Sequence, residues 1–363
     1  MPIRKLADMV VYRDDAYYCS PGPSVVTMPD GEVHVFFRRH WTWPLTPLLL
    51  HAHPGTEQCV VRSADGGATW EDAPGFLPGG GNCPCVTLLS DGALLFARHR
   101  FTPVLKCLLE GDLETYQAQH HSADWTLVGA GVEVWRSDDR GAHWAGPYWI
   151  DDVPGLEPGA DGLHTPLGLR GWPVELSDGT VGLPVYADGA GAVLVTSADG
   201  GRTWQYRGTA VTGPDDEPGA YNEWHLQQTP SGDLVAFIRC QLSGDAYGFL
   251  QTSRSSDGGR TWTPPERQPV WGFPHHALPM PSGRLLLTYG YRREPYGVRA
   301  RLIDAECTRF DGEELVLRDD AGHWDMGYPH AALLPDGRAI VVYYFNDAPD
   351  GQRYIAASVV EEL

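Results

Sequence analysis

The stretch YNEWHLQQTPSGDLVAFIRC holds an acid, Glu223, nine residues before Gly232, and a base, Arg239, seven residues after it. A carboxylate takes protons, and a guanidinium grips anions with two parallel hydrogen bonds. Tyr328 stands nine residues before Gly337, the same offset that separates Glu223 from its own glycine. Three such groups act together only if the fold brings them to one place.

Repeats decide that question. SADGGATW (63–70), SDDRGAHW (137–144), SADGGRTW (197–204) and SSDGGRTW (255–262) are copies of one box, S-x-D-x-G-x-T-W, with His143 at the Thr position of the second. Each follows a strand-like run, so each reads as a tight hairpin: Ser and Asp bond turn amides, Gly takes positive φ, and Trp packs on a sheet. A second repeat sets the number of units. Alternating apolar runs flank short turns whose glycines are 31, 92, 179, 232, 283 and 337. Six hairpins predict six small antiparallel sheets closing into a β-propeller, an all-β single domain over 1–363. The long interval between Gly92 and Gly179 marks an insertion around 101–130, where GDLETYQAQHHSADW looks like a loop with a short helix. LIDAECTRF (302–310) stands where a fifth box would fall.

In such a ring the strand ends far from the turns converge on one face. Nine residues before each glycine lie Gly22, Cys83, Arg170, Glu223, Pro274 and Tyr328. Seven to ten residues after, with Arg98 at six, lie Arg38, Arg39, Arg98, His99, Arg239, Arg292 and Arg293. Glu223, Arg239 and Tyr328 are therefore expected to share one cleft. His51, His53, His99, His164, His225, His275, His276 and His330 are the imidazoles expected near that face. Strand alternation sends one of the adjacent pair His275 and His276 toward the channel and the other into its blade.

Four boxes on six hairpins resemble the sialidase-type six-bladed propeller, the family named for Asp-boxes or BNR repeats, over about residues 18–360. The resemblance implies a glutamate in an Asn-Glu pair before the fourth turn (Glu223), an arginine after it (Arg239) and a tyrosine on the first strand of the last blade (Tyr328). It implies a further arginine near the end of the fifth hairpin, with Arg293 first and Arg299 second. In that reading Tyr328 is a neutral nucleophile toward an anomeric carbon bearing a carboxylate, Glu223 is its base, and arginines clamp the carboxylate. Two family features are missing. The first blade has CSPGPSVV (19–26) in place of an Arg-Ile-Pro motif, which leaves Arg38 or Arg39 as substitutes. The loop RRHWTWPLTPLLLHAHPGTEQ (38–58) lacks the aspartate that serves as general acid and offers His40, His51, His53 and Glu57. With Trp41 and Trp43, this loop reads as a lid, a sugar-stacking wall or a dimer contact.

The expected catalytic set is thus Tyr328, Glu223, His53 and His275. The expected substrate-binding set is Arg239, Arg293, Arg299, Arg39, Arg98, Arg170 and His276. Three functions fit: a hydrolase for a terminal acidic sugar, a lyase for a uronate-containing glycan using His and Tyr, or a binding propeller. A formal charge of −20 argues against nucleic acid as a partner. A carbohydrate partner, probe of the arginine-lined face, is expected to carry a carboxylate. No cofactor is expected. Cys83-Pro84-Cys85 has no second cysteine pair to complete a metal site. Seven scattered cysteines and the absence of an apolar leader point to a reduced, cytoplasmic setting.

Overall fold

In a computed structural model, residues 3–41, 55–77, 81–109, 124–159, 162–187, 189–349 and 351–363 are described. They form six antiparallel sheets, the six blades of a β-propeller. Each of the six turn glycines has a φ between +83° and +94°, which a side chain would strain. Around each, the same two backbone bonds close the turn, as in Gly232 N to Thr229 O at 2.9 Å and Thr229 N to Asp233 O at 2.8 Å. One turn chemistry used six times produces one hairpin used six times.

The blades run in chain order from Tyr17 to Leu333, with the sixth completed by Ala339–Phe345, Tyr354–Glu362 and the N-terminal strand Ile3–Tyr12. That last pairing, from Ile3 opposite Glu362 to Tyr12 opposite Ile355, ties the two ends of the chain together. The family resemblance, which begins at about residue 18, does not reach this N-terminal strand. Apolar side chains collect between neighbouring blades rather than in one central core. Val35, Phe37 and Val61 of the first blade meet Ile340, Val342 and Tyr344 of the sixth, and each other interface has its own cluster. Burial between blades therefore fixes their angle about the axis and, with it, which strand ends meet.

The four boxes are built alike. In the third, Ser197 Oγ donates to Asp199 Oδ1 at 2.8 Å, and Asp199 accepts the Thr203 amide at 2.9 Å and the Thr203 hydroxyl at 2.7 Å. In the second, His143 Nδ1 takes the place of the threonine hydroxyl, 2.6 Å from Asp139. At the fifth position Asp304 still accepts the Thr308 amide and hydroxyl, at 3.0 and 2.8 Å, although Leu302 stands two residues before it, where the boxes have serine.

Much of the expected insertion is strand. Leu94–Leu105 and Trp125–Ser137 extend the second blade as one long hairpin, paired out to Leu105 opposite Trp125 with one slip between His99 and Phe101. Residues 110–123, where the short helix was expected, lie outside the described residues. Among the described residues no helix is long and apolar enough to cross a membrane.

Candidate active site

The innermost strands of the second, fourth and sixth blades share a local departure from regular pairing. Their register slips between Asn82 and Cys85, between Asn222 and His225, and between Gly327 and His330. At each slip one residue turns left-handed: Cys83 at φ 53°, Glu223 at 40° and Tyr328 at 53°. A bulge with a non-glycine residue in this region re-aims its side chain at the cost of backbone strain. Here it lifts the three side chains into a cavity of about 500 Å³ at the mouth of the ring.

Tyr328 and Glu223 meet there. Tyr328 Oη donates to Glu223 Oε1 at 2.6 Å, Arg239 donates to Glu223 Oε2, and Arg239 Nη1 also lies 3.1 Å from Tyr328 Oη. Burial pushes the Glu223 carboxyl up, but the Arg239 charge and the hydrogen bonds from Tyr328 and Arg239 outweigh it and hold the group below its ordinary value. Burial and the Glu223 charge push the Tyr328 phenol up, against the pull of Arg239 and Arg292. The couple at neutral pH is therefore a phenol donating to a carboxylate, one proton transfer away from a nucleophile.

Two more arginines face the cavity. Arg292 and Arg239 both lie over the ring of buried Phe273, at 5.4 and 4.4 Å from its centroid. Arg292 Nη2 donates to Tyr344 Oη and to Met326 O, both at 3.1 Å. Tyr344 Oη donates in turn to Asp325 Oδ1 at 2.6 Å, and Asp325 also accepts from Tyr18 and Arg353. Arg38, 1% exposed, donates to the carbonyls of Pro21 and Gly81 at 3.1 and 3.2 Å. Three guanidinium groups, Arg38, Arg239 and Arg292, outnumber the two carboxylates, Glu223 and Asp325, and leave the pocket positive in a protein of formal charge −20.

The other expected residues lie elsewhere. Arg39 points away from its neighbour Arg38, to Glu57 at 2.6 Å and over the Tyr17 ring at 4.0 Å. Arg98 is buried inside the second blade and paired with fully buried Glu133 at 2.5 Å, while the next residue, His99, faces the mouth. Arg293 is exposed and lies 3.9 Å over Trp271 on the rim of the fifth blade. Arg299 is spent on the carbonyls of Pro295, Val298 and Arg318. Arg292 holds the place assigned to those two. Arg170 is buried beneath Tyr328 and does not line the cavity.

Most of the histidines are also removed from the mouth. His275 turns into the interface between the fourth and fifth blades, against Tyr289, and burial lowers it to about 3. His276 turns the other way, as alternation requires, but into the channel below the mouth, with His225 and His330. Those three line a larger cavity of about 920 Å³ on the turn side of the ring, walled mainly by Val, Leu and Ala and without a phenol–carboxylate couple. His164 stacks on Trp149. His51, His53 and Trp43 lie outside the described residues; Trp41 is exposed and stacks on Tyr17.

Sequence reasoning missed Tyr186, Tyr344, Asp325 and Trp324, which also line the mouth. A signal for two of them was present. The positions seven residues after each turn glycine are Arg38, His99, Tyr186, Arg239, Gly290 and Tyr344, and all but Gly290 line the cavity. Counting seven alone, rather than seven to ten, selects one face of the second strand. Asp325 and Trp324 sit in the connection before the sixth blade, which the turn glycines do not index. Among the described residues no cluster of three or more His, Cys, Asp or Glu is arranged to hold a metal ion. All seven cysteines are free thiols.

Comparison with known proteins places this architecture. A Dyadobacter fermentans protein of unknown function superposes with a TM-score of 0.86 at 33% identity, over 99% of both chains. The NanB sialidase of Streptococcus pneumoniae shares the fold, with a TM-score of 0.67 at 12% identity over 97% of this chain and 70% of that one. So does the α-L-arabinanase of Penicillium chrysogenum, with a TM-score of 0.64 at 14% identity over 98% of each. A xyloglucanase from a Paenibacillus species is 30% identical over 172 residues, which are 45% of this chain and 16% of the xyloglucanase. Residues 97–341 match the family described as BNR repeat-like domain. With more than half of its length in that match, and with six blades around one axis, the chain belongs to the BNR repeat-like family of sialidase-like propellers.

Proposed function

We propose that this protein is an exo-acting glycoside hydrolase that releases a terminal, carboxylate-bearing sugar, with Tyr328 as nucleophile and Glu223 as its base. The observation that carries the reading is the 2.6 Å hydrogen bond from Tyr328 Oη to Glu223 Oε1, with Arg239 donating to the same carboxylate. An anomeric carbon that bears a carboxylate repels an anionic nucleophile. A neutral phenol escapes that repulsion and becomes nucleophilic only as Glu223 removes its proton. The oxygen–carbon bond to Tyr328 forms as the bond to the leaving oxygen breaks and Glu223 takes the phenol proton; the departing oxygen takes its proton from solvent. Water then attacks the anomeric carbon, Glu223 returns its proton to the leaving phenolate, and the water's extra proton passes to solvent.

Arg239, Arg292 and Arg38 supply the positive pocket for the sugar's carboxylate. Glycan-cleaving relatives support a carbohydrate substrate: the sialidase and arabinanase through their fold, the xyloglucanase through 172 aligned residues. The lyase reading needs an imidazole at the mouth. His275 and His276 turn away from it, and burial lowers His99, which does line it, to about 3. Asp325 serves as an acceptor for Tyr18, Tyr344 and Arg353 and is not placed as a proton donor.

Aryl glycosides test the reading, because an aryl leaving group departs without a general acid. The enzyme is expected to release 4-methylumbelliferone from a glycoside whose anomeric carbon bears the carboxylate, such as the α-N-acetylneuraminide. No unsaturated product absorbing in the ultraviolet should appear. A 3-fluoro glycosyl fluoride of the accepted sugar should leave its label on Tyr328, read by peptide mass spectrometry. An active enzyme labelled elsewhere overturns the mechanism, and an ultraviolet-absorbing product replaces it with elimination.

A further inference from the structure

We propose that Arg170 is a positioning residue whose unpaired guanidinium, held against the underside of Tyr328, keeps Glu223 ionised and ready to take the Tyr328 proton. The inference rests on the roles given above to Tyr328 and Glu223.

Arg170 is 2% exposed, and its guanidinium carbon lies 4.2 Å from the Trp172 ring centroid and 4.9 Å from that of Tyr328. Nη2 donates to Pro329 O at 3.4 Å; Nε and Nη1 meet no hydrogen-bond acceptor among the described residues. Two other buried arginines follow the ordinary rule that a buried charge is paired. Arg98 has Glu133, and Arg353 has Asp325. Arg170 has an indole on one side and the proposed nucleophile on the other.

Its place is fixed from below. Trp172 Nε1 donates to Ser24 Oγ at 2.6 Å, and the indole stacks on His330 at 4.0 Å. His330 Nδ1 accepts the Val25 amide at 3.0 Å, which joins the sixth blade to the first. A column of His330, Trp172, Arg170 and Tyr328 thus runs from the channel to the mouth.

The groups facing Arg170 leave its charge without an answer except at the mouth. From the second blade come Cys83 and Cys85, both held protonated by burial. From the fourth, fifth and sixth come His225, His276 and His330, all kept neutral by burial. The carboxylate within its field is Glu223, which Arg170 helps to hold below the ordinary range after Arg239 and Tyr328 have acted. Glu223 is also faced by Tyr186, Cys83 and His99, and none of these carries a positive charge at neutral pH. A cation in a water-poor site acts on a neighbouring carboxylate more strongly than it would in solvent.

The test replaces Arg170 with Met and with Gln, both neutral, and with Lys, which keeps the charge. Carboxyl ¹³C labelling of glutamate, with the Glu223 resonance identified by its loss in Glu223→Gln, reads the Glu223 titration with no substrate present. The midpoint is expected to rise by about one pH unit or more in Arg170→Met and Arg170→Gln and to return toward the native value in Arg170→Lys. On whichever methylumbelliferyl glycoside is cleaved, the acidic limb of kcat/KM should move up in pH by a similar amount, with little change in KM. An unmoved Glu223 midpoint in a folded neutral variant, or an equal shift in Arg170→Lys, overturns the inference. Full turnover in Tyr328→Phe overturns the hydrolase reading instead, and the titration still reads Arg170 independently.

Discussion

The two ends of each blade face opposite sides of the ring, and they are built on opposite terms. At the turn end the polar groups find partners within a few residues. Asp199 accepts from Ser197 and Thr203, Gly201 N bonds Ser197 Oγ, and Trp204 Nε1 reaches Gly201 O. At the mouth end three of the six left-handed non-glycine residues found among the described residues cluster as Cys83, Glu223 and Tyr328. Polar atoms there lie buried without hydrogen-bond partners among the described residues: Arg239 Nε, Asn82 Oδ1 and Asn222 Oδ1. Local satisfaction makes the turn end a self-sufficient clip. The mouth keeps its strain because the rest of the ring holds it, and unrelieved local conflict of that kind collects at sites of function.

The contrast predicts that mouth substitutions remove activity and spare stability, whereas interior substitutions do the reverse. The largest effect belongs to Tyr328→Phe, which deletes one hydroxyl and leaves Glu223 with Arg239. Turnover on an acidic-sugar aryl glycoside should fall by a factor on the order of 10³–10⁴. The thermal midpoint should barely move, and a Tyr328→Phe enzyme that keeps native turnover breaks the comparison. Next comes Glu133→Gln, below the mouth. It strands the Arg98 guanidinium, 1% exposed, beside a neutral amide. Urea unfolding should show a loss of about 3–5 kcal/mol. Turnover per folded molecule should stay near native, and a small stability change would mean that the pair is not the anchor its burial implies.

How much of this could be read from the chain follows the same division. The turn end was legible because its chemistry is local: a glycine, an Asp-box and an apolar run each declare themselves within ten residues. Counting from those glycines also put Glu223, Arg239 and Tyr328 in register. The count failed where it was taken too loosely or where the ladder slips. Arg39 and Arg98 flank the seventh position and so point to the opposite face of the strand from Arg38 and His99. Arg293 likewise alternates with Arg292. His276 obeyed alternation, but no count says how deep in the channel a side chain stops. Asp325 and Trp324 belong to a connection between blades, and the strand Ile3–Tyr12 belongs to a pairing across the whole length of the chain. Neither has a local period to reveal it.

A smaller effect sharpens the comparison inside the mouth itself. Arg292 is held by Tyr344 and Met326 O, with Nη1 left without a protein partner among the described residues. If that nitrogen meets the substrate carboxylate, Arg292→Met should lower kcat/KM about 10- to 100-fold, the worth of a charge-assisted hydrogen bond. The methyl ester of the same sugar should show almost none of that loss. Equal losses on acid and ester would mean that Arg292 shapes the wall and does not bind the charge.

The smallest effect tests the turn end, through Asp199→Asn. Burial raises the Asp199 carboxyl, but bonds from Thr203, Ser197 and Arg202 outweigh it and bring it to about 2. The unfolded chain holds such a group near its ordinary value of about 3.9. A carboxyl depressed by folding contributes its stability above the unfolded value and loses it as pH falls through the folded one. Wild type should therefore melt a few degrees above Asp199→Asn at pH 7, about 2–4 °C for hydrogen bonds this exposed. The gap should close as the pH falls from about 4 toward 2. Turnover at pH 7 should be the same in both, because the box lies on the turn face of the third blade and Tyr328 at the mouth, on the sixth. A variant that keeps its melting point and loses its activity would show that the two ends are coupled, and the division drawn between clip and mouth would fail.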